Sequence, residues 1–268
     1  MKLSEFTITE AGFGTDLGAE KFLNIKCRLG GISPDCVVLV ATMRALKYHG
    51  GLDLKALDAS NPAALEKGLE NLKKHIENIR HFGLPVVVAI NSFVSDTDDE
   101  VELVRTKCAY LGVPIVPSDH WARGGDGAMA LAETVADVAE NTAHDFRHSY
   151  PDGRKLWEKV RTIAREIYGA DDIMGDKQLR GKFRKLERDG FGNLPICMAK
   201  TQYSLSTDPG LRGRPTGFDV PIRDVKVSAG AGFVVVFTGD IMTMPGLPRR
   251  PSAESIDFDE DGHTVGLF

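Results

Sequence analysis

Three aromatic side chains occupy positions from which they could grip a flat ligand. Phe13 lies between two glycines, whereas Phe93 and Trp121 follow the apolar runs 86–90 and 113–116. Glycine neighbours give an aromatic ring little support for core packing, so we expect Phe13 to face a ligand. If both runs are parallel strands, Phe93 and Trp121 lie at the same carboxyl edge, where such sheets bind ligands. Stacking on a flat ring would add about 0.5–1.5 kcal/mol to simple burial; the alternative is that both rings cap the core.

A glycine-rich turn surrounds the first of these aromatics. Gly12, Gly14 and Gly18 form a G-x-G-x-x-x-G pattern between residues 6–9, which alternate like a half-buried strand, and a helix-like segment at 19–28. Turns of this kind bind phosphate through backbone N–H groups and a helix N-terminus, as in dinucleotide-binding proteins. The pattern alone is weak, because a glycine turn without any ligand fits it equally well. A nicotinamide-dependent oxidoreductase is therefore one function that it allows.

Four polar side chains are candidates for contacts with a charged substrate. Arg44, Lys47 and His49 follow an apolar run that ends at Ala41, so they belong near a strand's carboxyl edge. Phosphoryl transfer depends mainly on positioning and positive charge, which makes Arg44 a candidate phosphate contact. A solvated or salt-bridged helix turn is equally compatible with these three residues. Lys200 is expected at another strand end, where a buried, paired, structural lysine is favoured over a catalytic one.

Several blocks of the sequence resemble one known family. Residues 40–51 read VATMRALKYHGG and closely resemble a signature of formate–tetrahydrofolate ligase, also called formyltetrahydrofolate synthetase, with Met43 where Ile or Val is expected. Further blocks resemble the family in the same order: TEAGFGTDLGAEKF, AINSFVSDT, DHWARGGDG, CMAKTQYSLS and GAGFVVVFTGDIMTMPGLPRRP. The similarity extends from about Ser4 to Phe268. The chain is therefore identified as a member of this family.

The resemblance implies an ATP-dependent ligase that joins formate to tetrahydrofolate through formyl phosphate and gives 10-formyltetrahydrofolate. It implies that Phe93 and Trp121 clamp the pterin ring and that Phe13 lines the same cleft. It also implies that the glycine turn, residues 12–18, belongs to the nucleotide site, with Arg44 near the phosphates. Mg²⁺, a monovalent cation (K⁺ or NH₄⁺) and a homotetrameric assembly are expected on the same grounds.

The family's phosphate-binding loop has the pattern G-x-x-x-x-G-K-[ST], and no stretch of this sequence matches it. The one Gly-Lys pair, at residues 181–182, lacks both the earlier glycine and a following Ser or Thr. We therefore expect the C-terminal half of the family's polypeptide, inactive alone, with no phosphate-loop lysine to assign; a non-catalytic folate-binding fragment is the alternative. Residues 1–60 would be the C-terminal part of the nucleotide-binding lobe. Residues 61–268 would form a C-terminal α/β domain, joined through a long helix at 62–82.

The apolar pattern predicts an α/β fold. Continuous apolar runs at 37–41, 86–90, 113–116 and 234–237 are typical of strands covered on both faces. Helical patterns separate them, and the clearest begins at residues 60–62, where a capping residue precedes a proline. We expect mostly parallel sheets flanked by helices, organised as a P-loop NTPase-like remnant plus a C-terminal α/β domain.

Composition narrows the class of protein. The chain has 268 residues, 42% of them apolar, and a formal net charge of −5, so no basic field draws it to nucleic acid. No stretch approaches the roughly 20 apolar residues that cross a bilayer. Four scattered cysteines and seven histidines without metal-ligand spacing predict reduced thiols and no metal site. We therefore expect a cytoplasmic enzyme whose partners are small-molecule substrates, with neither nucleic acid nor membrane among them.

Overall fold

The computed structural model describes residues 3–239 and 249–266, so residues 240–248 of the last sequence block lie outside it. The described strands are β1 (Val37–Ala41), β2 (Val86–Asn91), β3 (Ile115–Ser118), β4 (Asp172–Met174), β5 (Ile196–Ala199), β6 (Asp219–Pro221), β7 (Asp224–Ser228), β8 (Phe233–Phe237), β9 (Asp257–Phe258) and β10 (Thr264–Val265). The α-helices are α1 (Cys27–Gly30), α2 (Met43–His49), α3 (Pro62–His81), α4 (Asp98–Cys108), α5 (His120–Arg123), α6 (Met129–Asn141), α7 (Leu156–Thr162) and α8 (Lys177–Leu186). Shorter π- and 3₁₀-helical segments lie at Gly14–Ala19, Phe22–Lys26, Leu54–Ala56, Ala109–Leu111, Gly124–Ala128, Ile163–Tyr168, Glu187–Phe191 and Ser252–Glu254.

The first sheet consists of three parallel strands in the order β1-β2-β3. β2 is central, and its first five residues are buried. A helix follows each strand, namely α2 after β1, α4 after β2 and α5 after β3. Because the strands run in the same direction, their carboxyl ends meet at one edge of the sheet.

The remaining described strands form three further sheets, one of three strands and two of two strands. β4 pairs with β6 in parallel, β5 pairs with β8 in parallel, and β7 runs antiparallel to β8. β9 and β10 form an antiparallel hairpin. Four of the six described strand pairings are thus parallel, which confirms the prediction of mostly parallel sheets flanked by helices. Among the described helices, none combines the length and apolar character needed to cross a membrane.

The structure differs from the expected strands at several places. Residues 6–9 form no strand, because their alternating apolar side chains have no core surface to cover: Phe6 is half exposed and Ile8 is almost fully exposed. The strand expected at 113–116 begins only at Ile115. Pro114 has no N–H to donate to a ladder, although its carbonyl accepts the Val88 N–H at 2.9 Å. The short strands β4, β6 and β7 carry no long apolar run and were not predicted.

The long helix predicted at 62–82 is confirmed as α3, Pro62–His81. The Asn61 side chain accepts the Ala64 N–H at 2.9 Å and so caps the first turn beside the proline. One stripe of the helix packs into the hydrophobic core through five buried side chains: Leu65, Leu69, Leu72, Ile76 and Ile79. The division of the chain at residue 60 into two parts joined by this helix stays a prediction.

Two glycines let α2 and α3 approach closely. A Cβ at Gly68 would lie 1.9 Å from the Leu46 carbonyl oxygen, and a Cβ at Gly50 would lie 1.8 Å from the Ala64 carbonyl oxygen. Both distances are far inside van der Waals contact, so no larger residue fits without moving a backbone. Because α2 carries Arg44, this close packing also sets where that side chain emerges.

We expect Gly68→Ala to lower the free energy of unfolding by about 1–3 kcal/mol, the usual effect of adding a methyl group to a filled site. The obstacle is backbone, which cannot rotate away as a side chain would. Gly181→Ala is the matched control, because Gly181 lies in α8 with open space where its Cβ would be. Alanine there should stabilise the chain by up to about 1 kcal/mol through helix propensity. Urea denaturation measures both, and equal stability of Gly68→Ala and wild type would contradict the packing argument.

Candidate functional site

The carboxyl edge of the first sheet carries Phe93 and Trp121 on neighbouring loops. Phe93 follows β2, Trp121 lies in α5 directly after β3, and the two strands are paired. The Ser92 N–H donates to the Ser118 carbonyl at 3.0 Å, which ties the loops together as they leave the sheet. Phe93 is 48% exposed and Trp121 is 82% exposed, so both rings are accessible to a ligand. Neither ring lines the two cavities described below, and a shared stacking role for them stays a prediction.

A short turn holds Phe93. Its N–H donates to the Asp96 carboxylate at 2.9 Å, and the Asp96 N–H donates back to the Phe93 carbonyl at 3.0 Å. Partial burial raises the pKa of Asp96, and the hydrogen bond from Phe93 opposes that shift. Thr97 then caps α4 by accepting the Glu100 N–H at 3.3 Å. The ring therefore projects from a turn that is anchored at both ends.

The loop that carries Trp121 is closed by its own hydrogen bonds. The Ser118 hydroxyl and the Asp119 N–H both donate to the Gly127 carbonyl, each at 3.3 Å. The same hydroxyl lies 3.0 Å from His120 Nδ1. Ser118 is buried, whereas the indole of Trp121 stands outside this fixed backbone.

The glycine turn forms one wall of a cavity of about 810 Å³. Gly12, Phe13 and Gly14 line it on one side, and β1 lines it on another. Gly14 has a φ of 74°, and a Cβ on Gly18 would lie 1.7 Å from the Gly12 carbonyl oxygen, so both positions require glycine. Phe13 is 76% exposed at the tip of this turn.

The turn lacks the strand–turn–helix arrangement of a dinucleotide-binding unit. It opens the helical segment Gly14–Ala19, but the described residues before it, 3–11, form no strand. The Gly18 N–H donates to the Phe13 carbonyl at 3.1 Å, and Asp16 puts a negative charge in the first helical turn. A helix N-terminus that binds phosphate has free N–H groups that donate to the phosphate, and it has no nearby carboxylate to repel the anion. The nicotinamide-dependent function therefore has only the glycine spacing in its favour.

Beneath the turn, Asp16 and Lys200 form a buried ion pair. The carboxylate and the ammonium lie 2.8 Å apart, and both side chains are almost completely excluded from solvent. Lys200 Nζ also donates to the Thr201 carbonyl at 2.9 Å and to the Ser204 carbonyl. Burial lowers the pKa of Lys200, and the charge of Asp16 opposes that shift. Lys200 is thus a paired lysine at the end of β5, and it joins the glycine turn to the loop at 201–206.

Two neutral histidines line the same cavity. His75 Nδ1 lies 2.5 Å from the Thr15 hydroxyl oxygen, which accepts a hydrogen bond from the Asn78 amide at 3.1 Å. Burial lowers the pKa of His75, and it lowers the pKa of His49 to about 4. His49 Nδ1 accepts the Gly213 N–H at 3.1 Å, so the neutral ring carries its proton on Nε2. Neither ring supplies positive charge to the cavity near neutral pH.

The two cationic residues of α2 have different environments. Arg44 lines a smaller cavity of about 220 Å³, whose wall also includes Phe13, and it forms an ion pair with the exposed Asp58. Lys47 is instead fully buried, with its ammonium 3.2 Å from the Glu100 carboxylate. Lys47 therefore links α2 to α4 as a structural residue, whereas the guanidinium of Arg44 remains accessible.

One group of potential metal ligands lies elsewhere in the chain. The ligand atoms of Asp259, Asp261 and His263, in the β9–β10 hairpin, lie within 4.8 Å of one another. No other such group of three or more occurs within residues 3–239 and 249–266. All three side chains are exposed, and exposed acidic groups commonly cluster without an ion, so we do not assign a metal site there.

Comparison with known proteins finds relatives along the whole chain. The sequence profile of formate–tetrahydrofolate ligase matches residues 1–268. Proteins with that name from Granulibacter bethesdensis and Roseobacter denitrificans are 55% and 56% identical over 268 residues. That of Pelagibacter ubique is 51% identical over the same length. The alignments cover 100% of this chain but 47%, 48% and 48% of the three relatives, so the chain spans about half the length of the curated relatives it matches.

We expect Lys200→Met to lower the free energy of unfolding by about 3–5 kcal/mol, because it leaves the Asp16 carboxylate buried without a partner. Lys185→Met is the matched control, since Lys185 pairs with Asp189 at the surface. Exposed pairs of this kind contribute at most about 1 kcal/mol. Urea denaturation of both variants measures the difference. A loss for Lys200→Met no larger than that for Lys185→Met would show that the buried pair does not hold the turn.

Proposed function

Because the chain belongs to the formate–tetrahydrofolate ligase family, we propose that it provides the folate-binding part of the ATP-dependent ligation of formate to tetrahydrofolate. This reaction gives 10-formyltetrahydrofolate by way of formyl phosphate. The observation that carries the proposal is the placement of Phe93 and Trp121 on neighbouring loops at one carboxyl edge. An accessible aromatic pair at that edge suits a flat, two-faced ring such as a pterin.

The rigidity of these loops supports the proposed role in binding. Hydrogen bonds fix the turn at Phe93 and the loop at Trp121, and a further bond, from the Ser92 N–H to the Ser118 carbonyl, joins the two loops. Ordering loops on binding costs free energy, and preorganised loops avoid much of that cost. Phe13, exposed on the turn that borders both cavities, completes the proposed folate-binding set.

The nucleotide and the acyl phosphate would lie on the side of the glycine turn, Gly12, Gly14 and Gly18, with the phosphates held by Arg44 rather than by the N–H groups of the turn. Arg44 supports this placement, because it is the one permanent cation among the residues that line the two cavities. Arg44 and Lys200 both form ion pairs, but the pair of Arg44 with Asp58 is exposed to solvent, whereas Lys200 is buried against Asp16. Arg44 would then contribute positive charge to the phosphates.

The proposals about metal ions, oligomeric assembly and cellular location rest on the family resemblance. The larger cavity offers only Glu10 and Asp16 as carboxylates, and Asp16 is committed to Lys200. The described walls therefore do not form a Mg²⁺ site by themselves, and no step is assigned to Mg²⁺ or to a monovalent cation. A homotetramer acting in the cytoplasm is part of the same proposal.

We expect Trp121→Ala to weaken tetrahydrofolate binding by on the order of tenfold or more, since it removes both the buried area and the stacking of one ring. Phe93→Ala should act in the same direction. Isothermal titration calorimetry of tetrahydrofolate into the 268-residue chain measures the dissociation constants. Tyr110→Ala is the matched control, because Tyr110 is also exposed but lies just before β3, at the opposite edge of the sheet. Equal affinities for Trp121→Ala and Tyr110→Ala would overturn the proposed clamp.

The purified 268-residue chain should not make 10-formyltetrahydrofolate from formate, ATP and tetrahydrofolate. Its sequence contains no G-x-x-x-x-G-K-[ST] loop, and positioning and charge neutralisation carry most of phosphoryl-transfer catalysis. A coupled assay beside the full-length Granulibacter bethesdensis ligase tests this. Turnover within about tenfold of that enzyme, a difference of only about 1.4 kcal/mol in activation free energy, would mean that the chain has a complete phosphate site.

A further inference from the structure

A second buried ion pair joins two helices that follow strands of the first sheet. The Lys47 ammonium is 3.2 Å from a carboxylate oxygen of Glu100, and the two side chains are 0% and 1% exposed. The same ammonium donates to the Ala59 carbonyl at 3.1 Å. Lys47 therefore ties α2 to two other segments, which are the loop before α3 and the first turn of α4.

The first turn of α4 has little other anchorage in the core. Among residues 98–101, only Glu100 is buried. The other buried side chains of α4, Val104 and Cys108, lie in its later turns. Apolar packing therefore holds the later turns of the helix, whereas the position of its first turn depends on the contact between Glu100 and Lys47.

The carboxylate of Glu100 makes this contact in place of a local one. Thr97 and Glu100 have the T-x-x-E spacing of a capping box, in which the glutamate would accept the N–H of the capping threonine. Thr97 does accept the Glu100 N–H, at 3.3 Å. Glu100 Oε1, however, accepts hydrogen bonds from Lys47 and from the Asn61 N–H, and Oε2 has no partner among the described residues. The side chain thus connects helices rather than closing the end of its own.

The ion pair lies beside both proposed substrate contacts. Arg44 precedes Lys47 by one helical turn on α2, and the turn that carries Phe93 leads directly into α4. Burial raises the pKa of Asp96, and the hydrogen bond from Phe93 and the charge of Lys47 oppose that shift. The charges of Glu100 and Arg44 also act on Asp96, in opposite directions. The carboxylate that holds the Phe93 turn is therefore close to the ion pair and to Arg44.

Lys47 also orders the partner of Arg44. The carbonyl that accepts from Lys47 belongs to Ala59, which directly follows Asp58 in the chain, and Asp58 forms the ion pair with Arg44. α2 itself is held against α3 by close backbone contacts. One buried ammonium thus contacts the loop that pairs with Arg44 and the helix start that follows Phe93.

We propose that Lys47 is a positioning residue for folate binding, which holds the Phe93 turn in place through its ion pair with Glu100. The same contacts fix that turn relative to Arg44. Lys47 is completely buried, so it acts through the start of α4 and touches no substrate itself. A turn that is already ordered avoids the free energy cost of ordering it on binding. The inference rests on the proposed function, in which Phe93 contacts the pterin ring.

A purely stabilising ion pair differs from a positioning one in a measurable way. Replacing a buried ion pair with apolar side chains of similar size is often neutral or stabilising. Apolar side chains cannot, however, make the directed hydrogen bonds to the Ala59 carbonyl and the Asn61 N–H. Lys47→Met combined with Glu100→Leu should therefore keep the chain as stable as wild type without holding the turn.

Hydrogen exchange followed by mass spectrometry tests the positioning without any ligand. In Lys47→Met, we expect the backbone amides of residues 92–97 to exchange about tenfold faster, because the turn opens more easily. Lys159→Met is the matched control. Lys159 is also fully buried, but it lies in α7 and donates to the Gly192 and Leu194 carbonyls, each at 2.9 Å. It should not change this exchange, and an equally small change in Lys47→Met would overturn the proposal.

Calorimetric titration of tetrahydrofolate into the same variants tests the effect on binding. We expect Lys47→Met to raise the dissociation constant about tenfold, because binding must then order the turn. Lys159→Met should leave it within about twofold of wild type. The double variant of Lys47 and Glu100 should match wild type in urea denaturation yet bind as weakly as Lys47→Met. If Lys47→Met fails to fold by circular dichroism, the double variant serves for both measurements.

The remaining outcomes separate this inference from the proposed function. Wild-type affinity in the double variant would show that the ion pair only stabilises the fold, and equal dissociation constants for Lys47→Met and Lys159→Met would also contradict the positioning role. If the wild-type chain binds no tetrahydrofolate, the proposed function is wrong. The exchange of residues 92–97 then still decides whether Lys47 holds the Phe93 turn.

Discussion

The buried ion pair between Asp16 and Lys200 fixes two distant parts of the sequence against each other. Removing charges from water costs several kcal/mol per ion unless they are paired and hydrogen-bonded. The glycine turn therefore cannot move away from the end of β5 without leaving both charges uncompensated. Lys200 also donates to the carbonyls of Thr201 and Ser204, so the same ammonium orders the loop across from Phe13. This contact therefore holds in place the glycine turn that forms one wall of the larger cavity.

The elements predicted correctly from the sequence are those whose burial produces a recognisable pattern of apolar residues within the element itself. The continuous apolar run of β2 indicates a strand buried on both faces, and the regular apolar stripe of α3 indicates a helix with one buried face. The Asn61–Pro62 pair marks the residue at which α3 begins. Residues 6–9 have the alternation of a strand, but a strand also needs a neighbour and a core surface, which alternation cannot supply. The strands β4 and β6, at three residues each, are too short for any periodic pattern to be recognised.

Some features of the candidate site could likewise be predicted from the sequence, and others could not. Phe93 and Trp121 were placed correctly at one sheet edge because their position follows from strand order and from the direction of parallel strands. The partners around Asp16 were not predicted, because Lys200 and His75 are far from it in sequence and no spacing rule connects them. Their only local signals were an acidic residue in a first helical turn and a histidine beside the apolar stripe of α3.

The helical stretch after the glycine turn contains a second buried carboxyl group, that of Glu20. Its Oε1 accepts the Asn24 amide at 2.8 Å, and its Oε2 has no hydrogen-bond partner among the described residues. Burial raises the pKa of Glu20 from 4.5 to about 7. The folded chain therefore holds a proton that the unfolded chain gives up, and stability falls as the pH rises between these two values. Unfolding near pH 6 should release this proton to the solution, so the heat measured by calorimetry should vary with the ionisation enthalpy of the buffer.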